Sequence, residues 1–437
     1  MLLSLGMDCI AEQTRKKMQS VETAAIEKLN ALKEKTCVGS EFTGWWDWPE
    51  HSGYETLRTI HNGRIDVSFD LIVVIGIGGS YAGTKAIAEA LRHQFADQTI
   101  NVSQRYLPIV YAGNNLSERS LLELLDLMEE HDPIINVISK SGSTIEPNLA
   151  FRILEETLYK RYGQEAAKRV FVTTQFDKNP LHELAEKRKY TLFPIPKNVG
   201  GRYSVLTAAS LLPLTLAGYD TRQLLNGADR LFSDLRVDIQ TDHPLIQYTC
   251  FRKVAWDEGK SLDILSYREP KLAAFIEWWK QLFAESEGKE GKGLMPMGMS
   301  YSTDLHSLGQ YLQEGPACMI ESFLEVGSVR SLVETHIKIP VDDIGENKSM
   351  QSLFNRYVND IDKAVWQASQ KAHSERGVPC LELKISQLDE YHLGYLLAFF
   401  QVACGIGALL LDVNPFNQPG VEIYKKELHR ILEAKAH

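Results

Sequence analysis

The sequence predicts an α/β protein made of two halves, each a parallel-dominated sheet with helices on both faces. Short apolar runs without polar alternation, such as LIVVI at Leu71–Ile75 and IINVI at 134–138, are the pattern of strands buried on both sides. They alternate with helical stretches, as the crossovers of a parallel sheet require. The alternation comes in two series, and 437 residues suffice for two or three domains.

In the first series Leu71–Ile75 reads as a strand, 76–80 as a turn and 84–95 as a helix. Strands follow at 107–111 and 134–138, around a helix at 117–130. A Ser/Thr-rich turn then leads into a helix at 147–162 and a strand at 169–173. The second series reads as a strand at 261–265, a helix at 271–284 and strands at 322–326 and 335–339. One long polar helix at 348–374, a strand at 380–385 and a helix at 391–411 complete it. A charged amphipathic helix at 421–436 closes the chain, and the first thirty residues offer a helix only. The halves meet within 217–262, where no Pro-, Gly- or Ser-rich linker intervenes, so tight packing between them is expected.

A net charge of −10, with 44% hydrophobic and 24% charged residues, is globular composition and excludes a disordered chain, a collagen or a coiled-coil rod. An acidic chain without a long basic block is not built to neutralise phosphates, so no nucleic-acid partner is expected. Arg15-Lys16-Lys17 and Lys187-Arg188-Lys189 read as solvated helix faces. Six scattered cysteines without a CxxC pair suit reduced thiols in a cytoplasmic protein. The apolar run 395–411 approaches membrane-spanning length, but Gln401, Gly405 and Gly407 interrupt it, and a buried core helix is the expectation rather than a membrane span.

Six constellations can carry chemistry. Gly76-Ile77-Gly78-Gly79-Ser80 follows a buried strand and precedes a helix, where backbone N–H groups can meet an anion. A third glycine of a dinucleotide fingerprint would fall at Tyr81, and Gly83-Thr84-Lys85 is not a P-loop, so a small phosphorylated ligand fits better than a nucleotide. A plain tight turn remains open. Ser139-Lys140-Ser141-Gly142-Ser143-Thr144 repeats the placement with more hydroxyls than one helix cap needs. The two turns sit at strand C-termini, where open α/β sheets bind ligands. Val199-Gly200-Gly201-Arg202-Tyr203-Ser204 offers a guanidinium to an oxyanion, or is a hairpin with a surface arginine. Gln281 and Glu285 lie i,i+4 on one face at a helix end, beside Trp278 and Trp279, where a carboxylate can transfer a proton; Glu287 and Glu290 read as ordinary helix-end polarity. His306 is a cap, a core residue or an acid/base, and without HxH or HExxH no metal site is predicted. Asn414 to Lys425 turns into the last helix, with Gln418 and Lys425 straddling its start; a solvated Lys425 is the plain alternative.

Taken in order, the GIGGS, SKSGST, VGGRYS, ESEGK, DLH and NQPGVExxK segments resemble the phosphoglucose isomerase family, in its compact bacterial branch, from about Gly76 to Lys425. The resemblance implies two sugar-isomerase-type αβα domains at 61–235 and 236–412, an N-terminal helical segment at 1–60 and a C-terminal turn and helix at 413–437. It implies a homodimer with its site at the subunit boundary. It also implies interconversion of glucose 6-phosphate and fructose 6-phosphate without cofactor or metal. By the same resemblance Glu285 moves a proton between C1 and C2, Arg202 stabilises the cis-enediolate, and His306, from the partner subunit, and Lys425 open the ring. Ser80, Ser139, Lys140, Ser141 and Thr144 take the phosphate, and Gly79, Gly201, Gln281 and Gln418 line the substrate. Departures are minor: Asn417 stands where many members carry Asp, and Asn198 lies in a region often acidic. Trp45 and Trp46 read as packing aromatics rather than sugar binders.

The chemistry suits these residue types. One carboxylate can carry a proton between adjacent carbons, a fixed guanidinium stabilises the enediolate, and the unreacting phosphate positions the carbons. Three other readings are weaker. A sugar-phosphate sensor would not need Glu285, Arg202, His306 and Lys425 together. An amidotransferase-linked isomerase needs a glutaminase half, and Cys9 has none before the sugar domain. A nicotinamide oxidoreductase is disfavoured by Tyr81.

Overall fold

The computed structural model describes residues 2–47, 53–62, 66–96, 105–177, 179–237, 239–327, 337–341 and 348–435. The chain begins with β1 (Leu3–Gly6), α1 (Glu12–Lys33) and α2 (Tyr54–Asn62). The first α/β series is β2 (Leu71–Ile75), α3 (Ala82–Leu91), β3 (Ile109–Ala112), α4 (Glu118–Glu130), β4 (Pro133–Ile138), α5 (Ile145–Tyr162), β5 (Val170–Thr174), α6 (Pro180–Arg188) and β6 (Thr191–Pro194). Helices α7 (Ala208–Leu216), α8 (Thr221–Arg236) and α9 (Pro244–Asp257) lead into the second series. That series is β7 (Leu262–Tyr267), α10 (Ala273–Glu287), β8 (Met295–Ser300), α11 (Gly309–Glu314), β9 (Met319–Val326), α12 (Lys348–Gln351), α13 (Val358–Glu375), β10 (Cys380–Ile385) and α14 (Glu390–Leu410), before α15 (Pro419–Lys435).

The strands form two five-stranded sheets, ordered β3-β2-β4-β5-β6 and β1-β10-β9-β7-β8, parallel throughout except for β1 against β10. Alternation along β2 explains its unbroken apolar sequence. Ile72 and Val74 point into the central core, while Leu71, Val73 and Ile75 feed a separate core under α5 and α6. The second sheet divides likewise: Leu265, Ile320 and Leu383 face the centre, and Ile264, Met319 and Phe323 pack against Trp366 of α13. Helices α1, α3, α8, α9, α10 and α14 pack between the sheets as one shared core. The tight packing of the halves is therefore found.

Helix α14 is the long apolar run, and every residue except Tyr391 is buried inside the protein, so it is a core helix. Gln401 in its middle finds a partner: its Nε2 donates to the Tyr203 carbonyl at 2.8 Å. Cys250, Cys380 and Cys404 are buried, and all six cysteines are free thiols. Trp45 and Trp46 are buried, and Trp45 stacks on Tyr203 with ring centroids 4.9 Å apart.

Several expectations need correction. The helix expected over 84–95 stops at Leu91, and Arg92 is extended, because the next apolar residue, Phe95, is 58% exposed and offers no buried face. The single helix expected over 348–374 is broken: Asn355 adopts a left-handed φ of 63° and Tyr357 is extended before α13 begins. The strand expected at 335–339 lies partly outside the described residues, and within them Lys338 makes only an isolated bridge to Tyr357. Strands β1, β6 and β8 were not expected, and all three are sheet edges. The N-terminal segment thus supplies a strand of the second sheet as well as a helix.

Candidate active site

The site is assembled at the carboxyl edge of the first sheet. β2 and β4 are neighbours in parallel register, Ile75 opposite Val137, so the turns that follow them lie side by side. Gly78 has a φ of +57°, which favours glycine, and a Cβ on Gly79 would stand 1.9 Å from the Gly201 carbonyl oxygen. The glycine turn after β2 and the Gly200-Gly201 turn are therefore in backbone contact, and no side chain fits between them. Ser204 closes this joint, its Oγ donating to the Gly201 carbonyl at 2.7 Å.

The Ser/Thr turn is held from within. Ser139 is buried and its Oγ accepts from the Gly142 N–H at 3.2 Å. Ser141 is exposed, and its Oγ accepts from the Ser143 hydroxyl at 3.2 Å. Thr144 is the N-cap of α5 without a side-chain cap bond, so its hydroxyl is not spent on the helix. The Lys140 Nζ donates to the Lys197 and Val199 carbonyls, both at 2.8 Å, and thereby holds the strand of chain that leads into Gly200. Burial lowers the pKa of this ammonium. Two of its three N–H donors are engaged, which leaves one for an anion.

Arg202 is buried, with its side chain 2% exposed, and it joins the two halves. Its Nε donates to Ser286 Oγ at 2.8 Å and its Nη1 to Glu285 Oε2 at 3.3 Å. Its Nη2 donates to the Pro415 carbonyl and, at 3.1 Å, to the Asn417 carbonyl. A guanidinium has five N–H donors, so one Nη1 hydrogen is left among these contacts. The i,i+4 pair is as expected: Gln281 Nε2 donates to Glu285 Oε1 at 2.9 Å. The same Gln281 nitrogen lies 2.8 Å from where a Cβ on Gly78 would stand. Thus Gly79, Gly201, Arg202, Gln281 and Glu285 come together, with Ser80 half-buried beside them.

Glu287 is not ordinary helix-end polarity. It is 1% exposed and takes a two-pronged bond from Arg252, Nη1 to Oε1 at 2.5 Å and Nη2 to Oε2 at 2.9 Å. Arg252 Nε also reaches Asp263 Oδ2 at 2.7 Å, so the end of α10 is tied to β7. Ser286 and the carbonyls of Pro415 and Asn417 were not expected as Arg202 partners. Ser286 lies inside the ESEGK segment, but only the folded end of α10 turns it toward Arg202.

The remaining candidates make no bond to the Arg202–Glu285 pair. His306 is exposed on a short 3-10 turn, Thr303–His306, beyond the carboxyl end of β8. Helix α10 is the crossover from β7 to its parallel neighbour β8, so it runs against the strands. Glu285, at the end of α10, lies toward the amino edge of the second sheet and His306 toward its carboxyl edge, roughly the 20 Å length of a six-residue strand apart. Lys425 lies in α15, where its Nζ pairs with Glu422 Oε1 at 2.8 Å and both side chains are about half exposed. Gln418 is exposed and follows Asn417, whose carbonyl holds Arg202.

Comparison with known proteins places the chain as a whole. The profile of the phosphoglucose isomerase family matches residues 55–315. A glucose-6-phosphate isomerase of Clostridium tetani is 40% identical over 419 residues, covering 95% of this chain and 92% of its own. One from Symbiobacterium thermophilum is 43% identical, covering 92% of this chain and 89% of its own. Among solved structures, a Thermus thermophilus protein described as hypothetical has a TM-score of 0.85 at 24% identity, over 98% of this chain and 99% of that one. A glucose-6-phosphate isomerase from Chlamydia trachomatis has a TM-score of 0.70 at 18% identity, over 89% of this chain and 74% of its own.

Proposed function

The chain belongs to the phosphoglucose isomerase family, and on that premise we propose how its residues interconvert glucose 6-phosphate and fructose 6-phosphate. The observation that carries the reading is the Arg202–Glu285 pair at 3.3 Å, set against the glycine turn of the first sheet. A carboxylate and a fixed guanidinium in contact are what a proton shuttle between adjacent carbons needs. Glu285 takes the proton from one carbon and returns it to the other, and the remaining Arg202 N–H stabilises the enediolate oxygen. Gln281 orients the Glu285 carboxylate through its 2.9 Å bond.

The phosphate occupies the two adjacent turns, on Ser80, Ser139, Ser141, Thr144 and the last Lys140 donor, with Gly79 and Gly201 giving it backbone access. Its binding energy positions the reacting carbons. Gln418 contacts the sugar. His306 and Lys425 open the ring, and neither bonds to the Arg202–Glu285 pair within one chain. The separation of His306 from Glu285 across the second sheet supports a homodimer in which His306 completes the partner's site. The reaction needs no metal or cofactor, and the cytoplasm, where hexose phosphates are held, is the expected compartment.

The test is a coupled assay on chelator-treated protein, with fructose 6-phosphate as substrate and glucose 6-phosphate read by its dehydrogenase. Turnover is the expected result. Binding of fructose 6-phosphate in a thermal-shift test without turnover would replace the enzyme by a sensor.

A further inference from the structure

Arg202 is held by a run of chain that has to be held itself. Both of its Nη2 bonds go to carbonyls of 415–417, ahead of α15. Within that run Asn414 Oδ1 accepts the Phe416 N–H at 2.9 Å, and Pro415 has no N–H to give. The tie to the rest of the site is Lys289, just past α10. Its Nζ donates to the Ser286 carbonyl at 2.9 Å and to the Asn414 carbonyl. Lys289 and Arg202 thus reach the same short run from the two halves, one on residue 414 and the other on 415 and 417. Burial, with the Arg202 guanidinium nearby, lowers the Lys289 ammonium to about 8. Folding alone gains little from a half-buried cation near another cation, so the placement needs a further reason.

We propose that Lys289 is a positioning residue for the isomerisation: by pinning the Asn414 carbonyl to the end of α10, it holds the next carbonyls where they lock Arg202 with one N–H toward the enediolate. The inference rests on the roles given above to Arg202 and Glu285. A slack 414–417 run lets the guanidinium rotate toward other acceptors, and the oxyanion then loses a preorganised donor while the phosphate turns stay intact. The loss therefore falls on kcat rather than on KM.

The experiment is a double-mutant cycle: wild type, Lys289→Met, Arg202→Lys and the double variant, each assayed for kcat and KM on fructose 6-phosphate. Lys289→Met is expected to lower kcat about 10- to 100-fold with KM within about 3-fold. In the Arg202→Lys background the same change should cost less than about 2-fold, because its route of action is gone. An unchanged kcat in Lys289→Met, or its full loss repeated in the double variant, overturns the proposal while active wild type keeps the isomerase reading. Wild type without turnover overturns that reading and the proposal with it. Should Lys289→Met lack a cooperative melt, Lys289→Arg takes its place in the cycle with the same deciding outcomes.

Discussion

The side-chain amide of Gln401, in the middle of the long apolar helix α14, donates to the backbone carbonyl of Tyr203 at 2.8 Å. Tyr203 follows Arg202, so the bond ties the core helix to the turn that presents the guanidinium. The carbonyl is buried, and the Gln401 Oε1 has no partner among the described residues.

Gln401→Leu is expected to take one buried hydrogen bond from that carbonyl at a cost of about 1–3 kcal/mol, offset in part by removing the unpartnered Oε1. A net loss of about 1–2 kcal/mol in a guanidinium titration is the expected outcome. An unchanged midpoint would show that the turn is held without this bond.

Glu285→Gln keeps the bond from Gln281 but removes the base. Turnover should fall by about a thousandfold or more, with affinity for fructose 6-phosphate within about 3-fold. Calorimetric binding beside the coupled assay checks both halves, and near-wild-type turnover sinks the assignment.

Lys140→Met removes the donor left for the phosphate and the support under Lys197 and Val199. KM for the sugar phosphate should rise about 10- to 100-fold, with a smaller change in kcat. Steady-state kinetics separate the two; an unaltered KM would mean that Lys140 only holds the loop.

The two edges of the second sheet give a subunit test. Mixed subunits of His306→Ala and Glu285→Gln should recover part of the wild-type activity after exchange, since one of the two hybrid sites is intact. No recovery in verified hybrids would mean that each site is built within one chain.

Lys289 also sets a pH dependence. Its ammonium titrates at about 8 in the folded protein against an ordinary 10.5. Between these values the unfolded chain holds a proton that the folded chain has lost, so this group's contribution to stability rises with pH across that window. Glu285, Glu287, Arg202 and Cys404 face the same ammonium, and Cys404, pushed up to about 12 by burial, lies above the window. Wild type minus Lys289→Met, compared in urea at about pH 7 and about pH 10, should therefore shift in favour of wild type. A difference independent of pH would refute the lowered value.

What could be read in the sequence follows from where each residue sits. The central strands β2 and β4 are buried on both faces and announce themselves as apolar runs. Strands β1, β6 and β8 (LSLG, TLFP and MPMGMS) are edges, and an edge residue needs no two-sided apolar pattern. Asn355 could not be marked as a helix break, because the helical pattern continues on either side of it. Glu285 and Gln281 were legible because helical spacing alone puts them on one face. The burial of Glu287 was not, because its partner Arg252 lies 35 residues away.

By itself the sequence determined the α/β class, the two halves, the strand-end turns and the residue types fit for moving a proton beside a phosphate. These depend on local periodicity and on motifs a few residues long. The tertiary structure decided that Arg202 meets Glu285, Ser286 and the carbonyls of Pro415 and Asn417, and that Lys140 and Lys289 brace the loops around them. It also left His306 and Lys425 outside the hydrogen bonds of that pair. Such contacts join segments up to 215 residues apart, and they are set by how the two sheets pack on one shared helical core, which no local pattern encodes.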